Sequence, residues 1–194
     1  MRFIVGIDEV GRGPLAGPVA IGIVVTEEGF DIAKHFEGLT DSKKMTAPAR
    51  VRAATLAETL QSEGALRFGV YSLSASKVDE WGIERSIRNC IERGLEALMP
   101  EPKNCHVYLD GRLKAPDTYA QTALIRGDSI IPAISLASVV AKVARDRYMT
   151  DVAHTELPHY GFDAHKGYGT ASHIAAIRSY GPSVLHRKTF LSRI

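Results

Sequence analysis

Apolar residues along this chain fall into short β-branched runs and stretches of helical spacing. Phe3-Ile4-Val5-Gly6-Ile7 has the length and composition of one buried strand, and Val19-Ala20-Ile21-Gly22-Ile23-Val24-Val25 of a second. Gly11, Gly13, Pro14, Gly17 and Pro18 keep the segment between them out of a helix. Residues 26–30 read as a hairpin or loop. A polar loop from Gly38 to Met45 ends at Thr46, a helix N-cap, with Pro48 in the first turn. The predicted helix covers residues 49–60, turns Val51, Leu56 and Leu60 toward the core and stops by Gly64. Residues 66–73 alternate as a strand.

Ser74 caps a helical stretch running toward Met99 and broken at Gly82. Within it Ile83, Ile87, Ile91, Leu95 and Leu98 recur at intervals of three and four, the clearest amphipathic signal in the chain. That stripe and Trp81 are assigned to the core. Pro100 and Pro102 end the stretch. His106-Val107-Tyr108-Leu109 and Ala123-Leu124-Ile125 are short strands, residues 134–149 a second long helix, and residues 172–180 a last one. Residues 154–169, rich in His, Gly and Tyr, read as an ordered surface loop. Without repeats or low-complexity linkers, the alternation of strands and helices points to one α/β domain over residues 1–194.

Composition narrows this picture only slightly. At 194 residues, 45% of them apolar and 24% charged, the chain suits a soluble globular protein. Its net charge of +2 does not announce a nucleic-acid binder, although it can conceal a basic surface around an acidic site. No apolar run reaches the roughly 18 residues of a membrane span, and the N-terminus lacks a signal-peptide pattern. Two cysteines, Cys90 and Cys105, show no CxxC spacing, which fits a reducing cytoplasm.

The candidate chemistry lies where the strands stop. Acids stand at or just past the end of three apolar runs: Asp8 with Glu9, Asp110, and Asp128. Strand ends of an open α/β sheet are where sites assemble. Four converging carboxylates need cations between them, and an all-oxygen set suits Mg²⁺ or Mn²⁺ rather than zinc. Two such ions about 3.5–4 Å apart stabilise the attacking and leaving oxygens of phosphodiester cleavage. Each acid alone better fits a turn former or helix cap than a metal ligand. Asp8 and Glu9 also pose a geometric question: adjacent strand residues point to opposite faces, so both reach one site only if the strand is irregular there.

Asp8-Glu9-Val10-Gly11-Arg12-Gly13-Pro14-Leu15-Ala16-Gly17-Pro18-Val19 resembles the opening motif of bacterial ribonuclease HII, the type 2 ribonuclease H. The resemblance continues through Asp41-Ser42-Lys43-Lys44, Leu109-Asp110-Gly111, Gly127-Asp128 and residues 137–147. His165-Lys166-Gly167-Tyr168-Gly169-Thr170 and Leu185-His186-Arg187-Lys188-Thr189-Phe190 complete it, in family order across nearly the whole chain.

The resemblance implies an α/β, RNase H-like fold, a mixed central sheet flanked by helices, with a helical C-terminal part. It implies an endonuclease acting on RNA paired with DNA and on single ribonucleotides within a DNA duplex, cutting 5′ to the ribonucleotide to leave a 3′-hydroxyl and a 5′-phosphate. Asp8, Glu9, Asp110 and Asp128 would be the catalytic acids and hold two divalent ions, Mg²⁺ or Mn²⁺. Gly11-Arg12-Gly13 would read the 2′-hydroxyl, with Arg12 near phosphate; by itself the segment also fits a plain tight turn. Tyr168 would stack on the sugar after the ribonucleotide; a lone aromatic in a glycine-rich loop also fits a partly buried anchor.

Ser138, Lys142 and Arg145, at i, i+4 and i+7, share a helix face suited to successive phosphates or to plain solvation. Lys43, Lys44 and Arg187 are further substrate-binding candidates. His106 is expected to be structural, and His165, His173 and His186 to pack or to face nucleic acid. The expected partner is an RNA–DNA hybrid or ribonucleotide-containing duplex, with no membrane and a monomeric enzyme. The C-terminal residues 189–194 show no clear sliding-clamp motif. Ribonuclease HIII is disfavoured because the chain lacks room for its extra N-terminal domain. A noncatalytic nucleic-acid-binding protein on the same fold is the alternative, and the presence of all four acids argues against it.

Overall fold

The computed structural model describes residues 2–194. Five strands form one sheet: β1 (Phe3–Val10), β2 (Val19–Glu27), β3 (Leu66–Leu73), β4 (Cys105–Asp110) and β5 (Ala120–Leu124), in the order β3-β2-β1-β4-β5. The β1–β2 and β2–β3 pairs are antiparallel, whereas β4 runs parallel to β1 and β5 parallel to β4. The sheet is therefore mixed. Its three parallel strands, β1, β4 and β5, deliver their C-terminal ends to the same edge.

The helices are α1 (Ile32–His35), α2 (Ala47–Ser62), α3 (Ala75–Trp81), α4 (Ile83–Leu98), α5 (Pro132–Arg147), α6 (His154–Glu156), α7 (Phe162–His165) and α8 (Ala171–Tyr180). Their starts follow the polar signals in the sequence. Thr46 accepts the amide of Ala49 at 3.3 Å, Ser74 that of Lys77 at 3.4 Å, and Thr170 that of His173 at 3.3 Å. Gly82, at φ +78°, separates α3 from α4 as expected.

The apolar stripe of α4 covers one face of the sheet, Ile87, Ile91 and Leu95 packing with Val5, Ile7, Ile21 and Ile23. Each such side chain contributes about 1.5–3 kcal/mol of burial. On the other face α5 comes unusually near. A Cβ on Gly6 would lie 2.2 Å from the Ala133 carbonyl carbon, and one on Gly22 would lie 2.1 Å from the Ala137 oxygen. Two side-chain-free strand positions thus seat the small residues of α5 directly on β1 and β2, which also sets how close α5 comes to the strand ends.

Three expectations change. Val51 is exposed, and α2 instead buries Ala54, Ala57 and Leu60. Trp81 is half-buried near the surface, with Lys77 Nζ 5.0 Å and the Arg85 guanidinium 5.2 Å from its ring centre. Its size gave it a core assignment, but the break at Gly82 turns it outward. Residues 154–169 are not a surface loop: they carry α6, α7 and the buried Tyr160, Phe162 and His165. Aromatic rings there build a second core with Ala16, Met149, Ala153 and Ile177, a packing that no helical or strand period announces.

Candidate active site

The parallel strands bring the four acids to one edge. Asp8 and Glu9 end β1, Asp110 ends β4, and Asp128 sits in the 3₁₀ turn Gly127–Ser129 after β5. Asp110 Oδ1 accepts the Gly127 amide at 2.7 Å, which ties the turn carrying Asp128 to the end of β4. Ser135 of α5 donates to the Asp128 carbonyl at 2.5 Å. Arg126, just before the turn, takes the left-handed conformation at φ +57°, a strained choice for a non-glycine residue that recurs at functional turns.

The backbone irregularity expected at Asp8-Glu9 is absent. The ladder to β2 runs without a bulge through Asp8↔Gly22, Glu9↔Ile21 and Val10↔Ala20. The two side chains do point to opposite faces, Asp8 toward α5 and Glu9 toward the α4 side. They share a site because the ladder to β4 stops at Ile7↔Leu109, so the end of β1 projects beyond its neighbour. The site lies off the strand end, where both faces are accessible.

That end opens into a cleft of about 540 Å³ lined by Asp8, Glu9, Val10, Gly11, Arg12, Gly13, Ser42, Lys43, Ser138, Lys142 and Tyr168. Asp8 is only 6% exposed. Burial pushes its carboxyl up to about 7, against a hydrogen bond from Ser138 and with the charges of Asp110 and Glu9 adding to the rise. Burial also raises Glu9, opposed by the Arg12 guanidinium. Asp128 is raised by burial, then by the charges of Asp41 and Asp110. Among the described residues no three His, Cys, Asp or Glu side chains already converge on a single point as a cation cage. The mutual repulsion of these carboxylates nevertheless suits an all-oxygen site for hard divalent cations, whose charge would return each acid to its ionised form.

Two residues beside the acids were passed over in the sequence. Asp41 lies beside Asp128, its charge helping to raise that carboxyl, and Ser42 Oγ lies 2.8 Å from Ser138 Oγ, joining the loop before α2 to the helix that touches Asp8. Arg50 Nη1 holds that loop through the carbonyls of Ser42 and Met45 at 2.9 and 2.6 Å. Their signal was the acid and serine preceding Lys43-Lys44, a motif read only for its lysines.

The substrate-binding candidates divide. Arg12 is exposed; it pairs with Glu84 at the start of α4 and lies 4.0 Å from Glu9. Lys142 pairs with Asp146 at 2.8 Å, and its Nζ stands 5.6 Å from the centre of the 39%-exposed Tyr168 ring. Lys43 faces the cleft, whereas Lys44 reaches Ser129 at 3.3 Å. Arg145 is a correction. It is 2% exposed, and its guanidinium donates to the carbonyls of Pro18, Lys166 and Ala16 at 2.9, 3.0 and 3.1 Å. Helical spacing placed it in the row with Ser138 and Lys142, but the loops of residues 11–18 and 166–168 close over that end of the row. Arg187 is likewise fully buried.

The three histidines pack beneath Tyr168. His186 Nδ1 accepts the amide and hydroxyl of Ser183 at 2.9 and 2.8 Å, so its Nε2–H donates to His173 Nε2 at 3.1 Å. His173 Nδ1–H in turn donates to the Tyr168 carbonyl at 2.9 Å. This chain requires both rings to be neutral. Burial lowers both, His186 to about 4, with the His173 charge adding to its fall. The unfolded chain therefore takes up protons near the ordinary value of 6.5 that folded His186 refuses until about pH 4. The cluster's contribution to stability is present above about pH 6.5 and lost as pH falls toward 4, by at most about 1.4 kcal/mol per pH unit for each histidine. His186→Gln is expected to flatten the fall in melting temperature across that window; an unchanged slope would place the acid sensitivity elsewhere. His106 has a structural role, its Nε2 lying 2.8 Å from Thr122 Oγ1 across β4 and β5.

Comparison with known proteins gives a consistent result. The model of the family "Ribonuclease HII" matches residues 5–193. The ribonuclease HII of Shouchella clausii is 43% identical over 188 residues, 96% of this chain and 68% of that protein. That of Verminephrobacter eiseniae is 42% identical, over 97% and 85%. Solved structures at low identity share the fold. The ribonuclease HII of Archaeoglobus fulgidus, solved in complex with PCNA, superposes with a TM-score of 0.75 at 22% identity, over 96% of this chain and 94% of that one. The ribonuclease H2 of Pyrococcus horikoshii gives 0.73 at 22% identity, over 96% and 93%. With a family model spanning nearly its whole length and relatives above 40% identity, this chain belongs to the ribonuclease HII family and is a ribonuclease H.

Proposed function

We propose that the protein is a divalent-metal-dependent endonuclease that hydrolyses the RNA strand of RNA–DNA hybrids and incises 5′ to single ribonucleotides in duplex DNA. The products carry a 3′-hydroxyl and a 5′-phosphate. The observation that carries this reading is the cleft itself: one wall is carboxylate, and the other is Gly11-Arg12-Gly13 with Tyr168.

Asp8, Glu9, Asp110 and Asp128 would hold the cations, Mg²⁺ or Mn²⁺; a structural neighbour, the ribonuclease HIII Bst-RNase HIII, was solved in complex with Mn²⁺. When bound, the ions supply activation of the attacking water and neutralisation of charge at the phosphate. The protein's own groups do the remaining work. Ser138 and Ser42 orient the Asp8 carboxylate. Gly13 leaves the cleft wall open, with nothing within 4 Å of the place a Cβ would take, so a ribose can approach the backbone there. Arg12, held by Glu84, exchanges that exposed partner for a phosphate. Lys43 and Lys142 meet the backbone charge without reading sequence. The Tyr168 ring lies across the neighbouring sugar, and a flat ring in that position leaves no room for a second hydroxyl.

The test is a DNA duplex carrying one ribonucleotide, incubated with Mg²⁺ or Mn²⁺ and with EDTA as control. Incision 5′ to the ribonucleotide, with a 3′ end that a polymerase extends, is expected. No metal-dependent cut at that position would overturn the reading.

A further inference from the structure

Arg187 is a cation in the interior with no carboxylate in direct contact. It is 0% exposed, and no carboxylate lies within salt-bridge distance of it among the described residues. Each of its three nitrogens donates to a backbone carbonyl: Nε to Gly17 at 3.0 Å, Nη1 to Arg12 at 3.0 Å and Nη2 to Gly11 at 2.6 Å. Burying a guanidinium costs several kcal/mol unless such bonds compensate. Desolvation brings its pKa down to about 9, with Arg145 adding to the fall and the more distant Asp79 opposing it.

The backbone around it is tied to the same loop. The Arg187 amide donates to Leu15 and the Gly17 amide to Leu185, both at 2.8 Å, and Ala16 bridges His186. Asp79 of α3 holds the next two residues by accepting the amides of Lys188 and Thr189 at 2.7 and 3.0 Å and the Thr189 hydroxyl at 2.5 Å.

The consequence follows from peptide geometry. In a trans peptide the C=O of one residue and the N–H of the next point in opposite directions. Carbonyls of Gly11 and Arg12 drawn inward to Arg187 therefore turn the N–H groups of Arg12 and Gly13 outward. Both residues line the cleft, and neither N–H has an acceptor within the described residues. Successive outward amides of this kind form a cradle for an anion or a hydroxyl oxygen.

We infer that Arg187 is a positioning residue for ribonucleotide recognition: by holding the Gly11 and Arg12 carbonyls it presents the Arg12 and Gly13 amides as a fixed pair of donors to the ribonucleotide's 2′-hydroxyl and adjoining phosphate. Arg187 touches no substrate itself. It acts through the loop, from the far end of the chain. The inference rests on the proposed reading of the cleft as a ribonucleotide site.

Fluorescence anisotropy in Ca²⁺, as a probe of binding to the protein, gives the affinity for a duplex with one ribonucleotide and for the same duplex in DNA alone; their ratio is the readout. Arg187→Lys keeps the charge but loses the fork. It is expected to lower the ratio at least about fivefold while all-DNA binding changes by less than twofold, since a point charge cannot hold three carbonyls. A purely structural role would weaken both duplexes together and leave the ratio unmoved, which overturns the inference. Should Arg187→Lys fail to fold by circular dichroism, Asp79→Ala decides. It removes the anchor of Lys188 and Thr189 near the surface, and the ratio falls if the inference holds and is unchanged if it does not. Absence of any ribonucleotide preference in the wild type would instead sink the underlying reading of the cleft.

Discussion

Replacing Asp110 with Asn is expected to lower cleavage by at least about a hundredfold, the scale seen when one preorganised polar group aimed at the reacting centre is removed, while duplex binding survives within a few-fold. The argument separates two jobs of this side chain. Its Oδ1 accepts the Gly127 amide and so fixes the turn bearing Asp128; an Asn oxygen accepts that amide as well. What the substitution removes is charge. Asp110 is the one carboxylate that raises all three of Asp8, Glu9 and Asp128, so it stands electrically at the centre of the group. On the proposed reading, its loss would leave the bound cations short of one anionic ligand without disturbing the wall proposed to grip the duplex.

The same reasoning predicts the opposite sign for stability. Without metal the native acids repel one another, so Asp110→Asn is expected to melt at a higher temperature than the wild type in EDTA, and to lose that advantage when Mg²⁺ or Mn²⁺ is added. Thermal melts with and without metal check this alongside single-turnover cleavage. Retained cleavage would show that Asp110 is no ligand, and equal melting in EDTA would show that the carboxylates are not in repulsion.

Alanine at Gly11 and alanine at Gly13 are expected to fail in different ways. Gly11 adopts φ +81°, and its Cβ would lie 2.3 Å from Arg145 Nε and 2.7 Å from the Pro18 carbonyl, itself an acceptor of Arg145. Strain and overpacking each cost about 1–3 kcal/mol. The loop must shift off Arg145, so Gly11→Ala is expected to lower the melting temperature and to impair selection of ribonucleotides more than general DNA binding. At Gly13 a Cβ meets nothing within 4 Å. Gly13→Ala should fold with wild-type stability yet lose cleavage at a ribonucleotide, because the added methyl occupies the cleft where the sugar comes closest. Gly13→Ala with wild-type selectivity would show that no ribose approaches this wall. Equal loss of selection and DNA binding in Gly11→Ala would leave that glycine a folding role alone.

Much of this protein is written locally. The run Phe3–Ile7, the stripe of Ile87, Ile91 and Leu95, and the caps at Thr46 and Ser74 each act over a few residues, so period and side-chain chemistry alone predicted β1, α4 and the starts of α2 and α3. The acids were legible for a related reason: one carboxylate ending a β-branched run is a common turn former, but three such endings suggested a common edge. The order of the motifs then identified the family.

What the sequence did not determine depends on distances between segments far apart along the chain. Arg145 and Arg187 carry the charge and flanking motifs of phosphate contacts, but both are buried. Only the folding of residues 11–18 and 166–168 over the end of α5, and of the C-terminal segment against residues 11–17, reveals that their partners are carbonyls up to 176 positions away. The cluster of His165, His173 and His186 was equally hidden, since its spacing matches no local motif and its tautomers are set by Ser183 and Tyr168. The adjacency of Asp8 and Glu9 shows the division most plainly. Local geometry says that neighbouring strand residues face apart, and they do. Where the partner strand β4 stops is a tertiary fact, and it is what lets two opposed carboxylates serve one cleft.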